Sequence, residues 1–278
     1  MIRILLFGRT GNNLFQYAIG RVLAEKHQVP LVLDGSWFNE SGWREVSHFL
    51  RLPIQAEVRR HPSLASRALR KITGKHYWEY RGVPVLREPV GDMRFAPSFL
   101  QAPSDCVLLG YFQSPRYFAS IAVELRAELL GLFESIFVDW HQIRPMLDHP
   151  QSVAVHVRRG DFLNHSAFQV CDLSYYEKSM QEMRDRIPGA RFFIFSDDPA
   201  WCKSVFTQSD VHVLGFERAQ PNPLHDLYLM SLASHHIIAN SSYSWWAAWL
   251  GDKPGQEVIM PDRWFTTDIK APMDEKRW

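Results

Sequence analysis

The chain has 278 residues, of which 46% are hydrophobic and 22% charged, and its 31 Lys and Arg against 30 Asp and Glu give a formal net charge of +1. This mixture is typical of a globular protein and excludes a disordered, collagen-like or low-complexity chain. A nearly neutral chain carries no global field that attracts nucleic acid or an anionic membrane, so an anionic ligand needs a local basic cluster.

The distribution of cysteines and apolar residues favours a cytoplasmic protein. The three cysteines are odd in number and lack CxxC spacing, which argues against a disulfide framework or a zinc ribbon. The apolar run at residues 2–7 is too short for a signal peptide, and no stretch approaches the roughly 18 apolar residues of a membrane span. The basic stretch at residues 59–75 is interpreted as a solvated helix face, with peripheral membrane contact as the alternative.

The first half of the chain begins with a βαβ pattern. Residues 2–7 form an apolar run that predicts a buried strand, Asn12 is the predicted cap of a helix ending near residue 27, and residues 30–34 predict a second strand. This order implies a parallel sheet with a right-handed crossover. Residues 35–105 have weak periodicity. A further strand and an amphipathic helix are predicted at residues 106–111 and 121–133.

The second half alternates strands and helices more clearly. The strands are predicted at residues 152–157, 191–195, 211–214, 236–239 and 257–260, and the helices at 173–187, 224–233 and 243–250. We therefore predict an α/β protein with two Rossmann-like, doubly wound domains, at residues 1–145 and 146–278. Packing against the sheet is the expected role of Trp245, Trp246 and Trp249 on the last helix, with sugar stacking as the alternative.

Three predicted strands of the second half end in polar residues. They end at His156-Val-Arg-Arg-Gly-Asp161, at Ser196-Asp-Asp198 and at Asn240-Ser-Ser242. In open α/β sheets ligands bind beyond the carboxyl ends of the strands, so the three ends predict one shared crevice.

The residue types at these ends suit a nucleoside diphosphate. Arg158 and Arg159 offer fork-shaped donors to a diphosphate, and a helix start at residues 240–242 favours phosphate oxygens. Asp197 could accept hydrogen bonds from guanine. The alternatives are structural: a salt bridge from the arginines to Asp161, an N-cap before Pro199 for the two aspartates, and capping by the serines.

Other common site chemistries have little support in the sequence. It lacks the GxGxxG, GxxxxGK[ST] and GxSxG motifs, which weakens dinucleotide, P-loop and serine-hydrolase interpretations. The adjacent His235 and His236 are expected to be core or supporting residues. We expect no metal site and no cofactor.

Four segments carry a resemblance to a known family. They are Gly11-Asn-Asn-Leu-Phe-Gln-Tyr-Ala18, the arginine segment at residues 156–161, Asp226-Leu-Tyr-Leu-Met-Ser231 and the segment at residues 236–250. In this order they resemble the bacterial α-1,2-fucosyltransferases of glycosyltransferase family 11. The resemblance implies a GT-B-like pair of domains with a cleft between them, GDP-fucose as a donor substrate, and inversion at the anomeric carbon without a required metal.

The resemblance also implies a division of roles. Residues 1–145 would bind the acceptor and residues 146–278 the donor. The expected donor-binding residues are His156, Arg158, Arg159, Asp197, Asp198, Asn240, Ser241 and Ser242. The expected acceptor-side residues are Gly11, Asn12, Asn13, Gln16 and Trp37, with Phe38 and Trp43 as further aromatic candidates. The family usually begins Gly-Gly-Leu-Gly-Asn-Gln, whereas this chain has Gly8-Arg-Thr-Gly-Asn-Asn13, which bears on acceptor choice more than on donor choice.

Catalysis is expected to depend on Arg158, Arg159 and Asp161. The arginines would stabilise the charge that develops on the departing GDP. Asp161, together with His165 and Asp34, is a candidate for deprotonating the acceptor hydroxyl, and Asp161 could equally orient an arginine.

The resemblance therefore implies transfer of fucose to a galactose-type hydroxyl, in α-1,2 linkage and in the synthesis of surface glycans. A related enzyme that makes another linkage and an inactive sugar-nucleotide-binding module are the alternatives. The acceptor and the oligomeric state stay open.

Overall fold

The structure is a computed structural model that describes residues 1–36, 52–59, 82–137, 142–160, 162, 165–214 and 222–267. The chain folds into two compact units, chiefly Met1–Leu125 and Arg126–Ala271. The division falls after Leu125, whereas the sequence analysis placed it at residue 145. In the described residues, each unit contains a five-stranded sheet.

The first unit is a parallel sheet with strand order β3-β2-β1-β5-β4. Its elements are β1 (Ile2–Leu5), helix α1 (Thr10–His27), β2 (Leu31–Asp34), β3 (Glu57–Arg59), β4 (Val85–Arg87) and β5 (Cys106–Leu109). The central strands are mostly apolar and nearly every residue of them is buried, including Arg3 and Asp34, as in a parallel sheet covered on both faces. The predicted βαβ order is confirmed.

Helix α1 begins at Thr10, so the prediction that Asn12 caps it is wrong. The backbone N–H of Asn13 already donates to the carbonyl of Arg9 at 3.0 Å, which closes the first turn earlier. Gly8 has a φ of +77°, and a Cβ there would lie 2.3 Å from Nδ2 of Asn12. The glycine is therefore required both by its backbone conformation and by the close approach of Asn12.

The second unit repeats the architecture with strand order β10-β9-β6-β7-β8, all parallel. Helix α2 (Ala122–Ile136) spans the division between the units. The remaining elements are α3 (Arg144–Leu147), β6 (Ser152–Val157), α4 (Leu173–Arg186), β7 (Arg191–Ser196), α5 (Pro199–Val205), β8 (Val211–Val213), α6 (Pro223–Leu232), β9 (His235–Ile237), α7 (Ser242–Leu250) and β10 (Val258–Ile259).

The alternation along β6 sorts its side chains between two faces. Val153, Val155 and Val157 pack in the core that also contains Tyr176 and Met180 of α4. His156 occupies the intervening position and contacts Tyr243 of α7 instead. Every residue of β6 is buried, which is the reason that its predicted bounds match the observed ones.

The tryptophans of α7 are part of the core. Trp245, Trp246 and Trp249 are all buried and pack against one another. The guanidinium of Arg126 lies 4.4 Å from the ring centroid of Trp249. The packing interpretation is confirmed. Within the part of the chain that the structure describes, no helix has the length and apolar character needed to cross a membrane.

Candidate active site

The two arginines that follow β6 have different partners. Nη1 of Arg158 lies 2.9 Å from Oδ2 of Asp197, and the Arg158 side chain is 15% exposed. Nε of Arg159 donates to Oδ2 of Asp198 at 3.1 Å, and its guanidinium lies 3.7 Å from the ring centroid of Trp201. Both residues directly follow the last residue of β6, and their side chains pair with different aspartates. The ends of β6 and β7 thus hold two arginines in fixed orientations.

Asp197 holds the turn after β6 together. Its Oδ1 accepts a hydrogen bond from the backbone N–H of Arg159 at 2.9 Å, while Oδ2 pairs with Arg158. A Cβ at Gly160 would lie 2.8 Å from the same Oδ2, so a side chain there would displace the carboxylate. Asp197 therefore orients the arginines, and its predicted contact with guanine stays a prediction.

Asp198 performs two tasks. It is the N-cap of α5, where its Oδ1 accepts from the backbone N–H of Trp201 at 3.1 Å, and its Oδ2 pairs with Arg159. The N-cap role that was the alternative interpretation of Asp198 is therefore observed. Asp198 also forms an ion pair with Arg159. Because the cap fixes the carboxylate, Arg159 is held between Asp198 and the ring of Trp201.

His156 is a buried, neutral imidazole beside the arginines. Burial, reinforced by the positive charge of Arg158 and only partly offset by Asp197, lowers the pKa of His156 from 6.5 to about 3. Its ring centroid lies 5.4 Å from that of Tyr243. Nδ1 is buried and has no hydrogen-bond partner among the described residues. A neutral ring can either donate or accept a hydrogen bond, which suits contact with a polar ligand.

The side chains of Asn240 and Ser241 form hydrogen bonds within the protein, near the sheet edge that carries the arginines. Nδ2 of Asn240 donates to the carbonyls of Phe168 and Trp264, at 3.1 and 2.9 Å. Ser241 is the N-cap of α7 and accepts from the N–H of Tyr243 at 3.3 Å, and Ser242 is the first helical residue. The capping alternative is observed for Ser241. Contact of these three residues with the donor stays a prediction.

The acceptor-side residues of the first unit form a buried network. Nδ2 of Asn13 donates to the carbonyl of Phe7 and to Oε1 of Gln16, at 3.1 and 3.0 Å. Nε2 of Gln16 donates to the carbonyl of Gly110 at 3.0 Å, so Gln16 joins the end of β1 to the end of β5. Gly11 is buried in the first turn of α1.

Asn12 lies beside this network. Its Oδ1 accepts from Nε2 of Gln113 at 2.6 Å. Together with Asn13 and Gln16 it braces the edge of the first sheet, and direct contact of these residues with an acceptor stays a prediction. Asp161, Trp37, Phe38 and Trp43 lie outside the described residues, so the expectations for them stay predictions as well.

Several supporting residues were not identified from the sequence. Trp201, Tyr243 and Glu88 each contact or orient a residue at the end of a strand. The segment at residues 236–250 included Tyr243 without assigning it a role, and the aromatic character of Trp201 close after Asp198 was the available signal. Glu88 lies in the stretch of weak periodicity, where no pattern marked it.

The fold defines the class of protein. The chain aligns with the solved structure of POFUT1 in complex with GDP-fucose at a TM-score of 0.51, over 94% of this chain and 98% of that chain, with 12% sequence identity. At that identity the likeness concerns the fold alone. It confirms the predicted GT-B-like class of two α/β domains, and the cleft between them stays a prediction.

Sequence relatives then identify the family. The chain is 28% identical to the O-antigen biosynthesis glycosyltransferase WbnK of Escherichia coli, over 98% of both chains. It is 30% identical to an alpha-1,2-colitosyltransferase of Escherichia coli, over 94% of this chain and 91% of that protein. The profile of glycosyl transferase family 11 matches residues 97–275. The chain belongs to glycosyl transferase family 11 and is a glycosyltransferase, as the four motifs predicted.

Proposed function

We propose that the chain transfers fucose from GDP-fucose to a galactose-type hydroxyl of a glycan, with inversion and in α-1,2 linkage, during synthesis of a surface glycan. The observation that carries the proposal is the pair Arg158 and Arg159 at the end of β6, each fixed by its own aspartate. Membership of family 11 supports the glycosyl transfer. The linkage is supported by the colitosyltransferase relative, and the surface glycan by the O-antigen relative.

The arginines supply the electrostatic part of the reaction. Displacement at the anomeric carbon of fucose leaves negative charge on the departing GDP. A guanidinium carries several N–H donors, so an arginine oriented by one carboxylate can also bind phosphate oxygens. Because Asp197 and Asp198 fix the two side chains before the donor binds, little reorganisation is needed when the charge develops.

The remaining assignments follow the same division of roles. The donor is assigned to residues 146–278 and the acceptor to residues 1–145, in a cytoplasmic enzyme with peripheral membrane contact as the alternative. GDP-fucose and a galactose-containing glycan are the partners, and GDP-fucose is a substrate, so no cofactor is assigned. Asp161, His165 and Asp34 are the candidates for deprotonating the acceptor hydroxyl.

Transfer of colitose is the second candidate function. It is favoured by the identity of 30% to an alpha-1,2-colitosyltransferase over 94% of this chain. The two donors share the GDP group that the arginines would bind. They differ in the sugar, because colitose lacks the 3-hydroxyl of fucose. The candidates therefore differ in the sugar subsite and not in the diphosphate site.

The decisive experiment compares the two donors directly. The protein is incubated with methyl β-galactoside and either GDP-fucose or GDP-colitose, GDP release is followed, and the linkage of the product is determined by NMR. We expect faster GDP release with GDP-fucose and an α-1,2-linked product. Preference for GDP-colitose would replace fucose by colitose in the proposal. Binding of either donor without turnover would indicate the sugar-nucleotide-binding module instead.

Activity is expected to survive an excess of EDTA. Stabilisation of the charge on the leaving diphosphate is assigned to Arg158 with the support of Arg159, so removal of divalent cations leaves that stabilisation in place. The measurement is the rate of GDP release with and without EDTA, and with Mg²⁺ or Mn²⁺ restored. Complete loss of activity in EDTA with recovery on adding either metal would contradict the assignment to the arginines.

A further inference from the structure

We propose that the carboxyl ends of β1 and β5 form a stacking platform for the acceptor sugar, with Tyr111 as the residue that contacts the sugar and Phe7 beside it. The inference rests on the proposed function, since it assigns a binding surface to the acceptor of that reaction. Neither residue was a candidate in the sequence analysis.

The rings of Phe7 and Tyr111 lie side by side at the carboxyl edge of the first sheet. β1 and β5 are adjacent parallel strands with Ile4 opposite Leu108, so Phe7 and Tyr111 both follow the carboxyl ends of their strands. Their ring centroids lie 4.7 Å apart at an interplanar angle of 58°. Open α/β sheets bind ligands at this edge. The pair therefore lies where the topology of the first unit predicts a ligand.

The backbone that presents Tyr111 is held in an unusual conformation. Phe112 has a φ of +53°, in the left-handed region that an aromatic residue rarely adopts. Such conformations persist only where the surroundings enforce them, and they cluster at functional sites. Phe112 itself is fully buried, whereas Tyr111 is half-buried. The strained turn thus buries one ring and leaves its neighbour accessible.

A half-buried carboxylate holds this turn in place. Glu88 follows β4, and its carboxylate accepts hydrogen bonds from the backbone N–H of Tyr111 at 2.7 Å and from that of Phe112 at 3.1 Å. Burial raises the pKa of Glu88, while the two N–H groups partly offset this effect. A Cβ at Gly110 would lie 2.7 Å from Cβ of Glu88, so glycine is required for this approach. Glu88 is a positioning residue for Tyr111.

The chemistry of Tyr111 suits a hexose. A tyrosine ring combines an apolar face with a hydroxyl group, and a sugar ring presents both C–H groups and hydroxyls. Within the described parts of the chain, the Tyr111 hydroxyl has no hydrogen-bond partner. Gln16 fixes the base of the platform, because it accepts weakly from the N–H of Phe7 at 3.4 Å and donates to the carbonyl of Gly110.

The test compares Tyr111→Leu with a matched variant, Phe95→Leu. Phe95 is also a half-buried aromatic residue of the first unit, but its partners are Tyr117 and Arg116. Binding of methyl β-galactoside is measured by saturation-transfer NMR, and its KM with GDP-fucose by GDP release. The Tyr111→Leu variant is expected to weaken binding and raise the acceptor KM by about five- to tenfold, with Phe95→Leu close to wild type.

Two further variants separate contact from folding. Tyr111→Phe keeps the ring and is expected to raise the acceptor KM by only about two- to threefold, since it removes the hydroxyl alone. Glu88→Gln is expected to raise the acceptor KM by a larger factor than it changes the rate of GDP-fucose hydrolysis without acceptor. A merely structural role would instead weaken acceptor binding and slow hydrolysis to a similar extent, and would lower the melting temperature.

The outcomes also separate this inference from the proposed function. An unchanged acceptor KM in a folded Tyr111→Leu variant would overturn the platform, and so would a wild-type protein that binds no methyl β-galactoside. If the wild-type protein bound methyl β-galactoside through Tyr111 but consumed no GDP-fucose, the platform would stand and the assigned donor would fail.

Discussion

The Arg158→Lys variant is expected to have a kcat about 10²–10³ lower than the wild-type protein, whereas Arg159→Lys is expected to show a milder loss. Lysine keeps the positive charge but cannot present two parallel N–H donors to phosphate oxygens. Arg158 lies close enough to His156 for its charge to help lower the pKa of that histidine. These two residues define the face of the strand to which we assign the diphosphate.

Arg159 is expected to act through its neighbours. Its guanidinium is held between Asp198 and Trp201, which favours a supporting role over direct contact with the leaving group. The matched variant is Asp198→Asn, which removes the charge partner but keeps an oxygen that can cap α5. It should mimic the mild effect of Arg159→Lys.

The measurements are kcat and GDP affinity for the three variants side by side. Near wild-type kcat for both lysine variants would contradict the assignment, and the diphosphate would then be sought at the start of α7. A larger loss for Arg159→Lys than for Arg158→Lys would reverse the roles of the two arginines.

Several of the strands that the sequence predicted well are almost completely buried. β1, β2 and β6 are mostly apolar, with one or two polar residues in each, and that composition separates them from loops. β3 and β4 were missed because each has only three residues, one of them exposed, and because charged residues interrupt the apolar pattern. Short edge strands of this kind are defined by pairing with a neighbour, which a single sequence does not reveal.

At the candidate site, too, the sequence did not reveal contacts that depend on which strands are neighbours. Alternation along β6 predicted that Arg158 and Arg159 diverge, because that follows from strand geometry. It did not predict that Asp197 would bind both the side chain of Arg158 and the backbone of Arg159, since this contact joins two strands. Similarly, the composition of residues 240–242 marked a strand end but did not reveal that the Asn240 amide turns inward.

The contact between Glu88 and Tyr111 in the first unit could not be predicted from the sequence. Glu88 is useful to the fold only because β4 pairs with β5 and brings its carboxylate to the backbone at Tyr111. Neither residue belongs to a recognisable motif. Their relation depends on a strand of three residues that the sequence did not indicate.

The second unit is expected to lose stability steeply as the pH falls below about 6.5, because two buried histidines must stay neutral in the folded state. Burial is the main reason that the pKa of both His156 and His236 is lowered from 6.5 to about 3. The positive charges of Arg158 on His156 and of Lys253 on His236 act in the same direction, and the carbonyl of Met230 opposes the shift at His236. Both rings are therefore neutral in the folded protein at every pH above about 3.

The direction in which the free energy of unfolding changes with pH follows from the number of protons bound in each state. Between pH 6.5 and about 3 the unfolded chain binds a proton at each of these histidines and the folded chain does not, so the free energy of unfolding falls as the pH falls. Above pH 6.5 neither state is protonated there and the effect disappears. Each histidine should cost about 2 kcal/mol between pH 7 and pH 5, or about 4 kcal/mol together, a large part of the roughly 5–15 kcal/mol that stabilises a typical domain.

Urea unfolding followed by circular dichroism at a series of pH values between 7 and 5 measures this loss, in a window above the usual carboxylate pKa values. The matched variant is His236→Gln, because glutamine cannot titrate but can donate to the carbonyl of Met230 as Nε2 of His236 does. Its loss of stability over the same window should be about half that of the wild-type protein. A wild-type stability that stays flat between pH 7 and pH 5 would contradict the neutral burial of these rings, and an unchanged slope in His236→Gln would show that His236 is not one of the groups responsible.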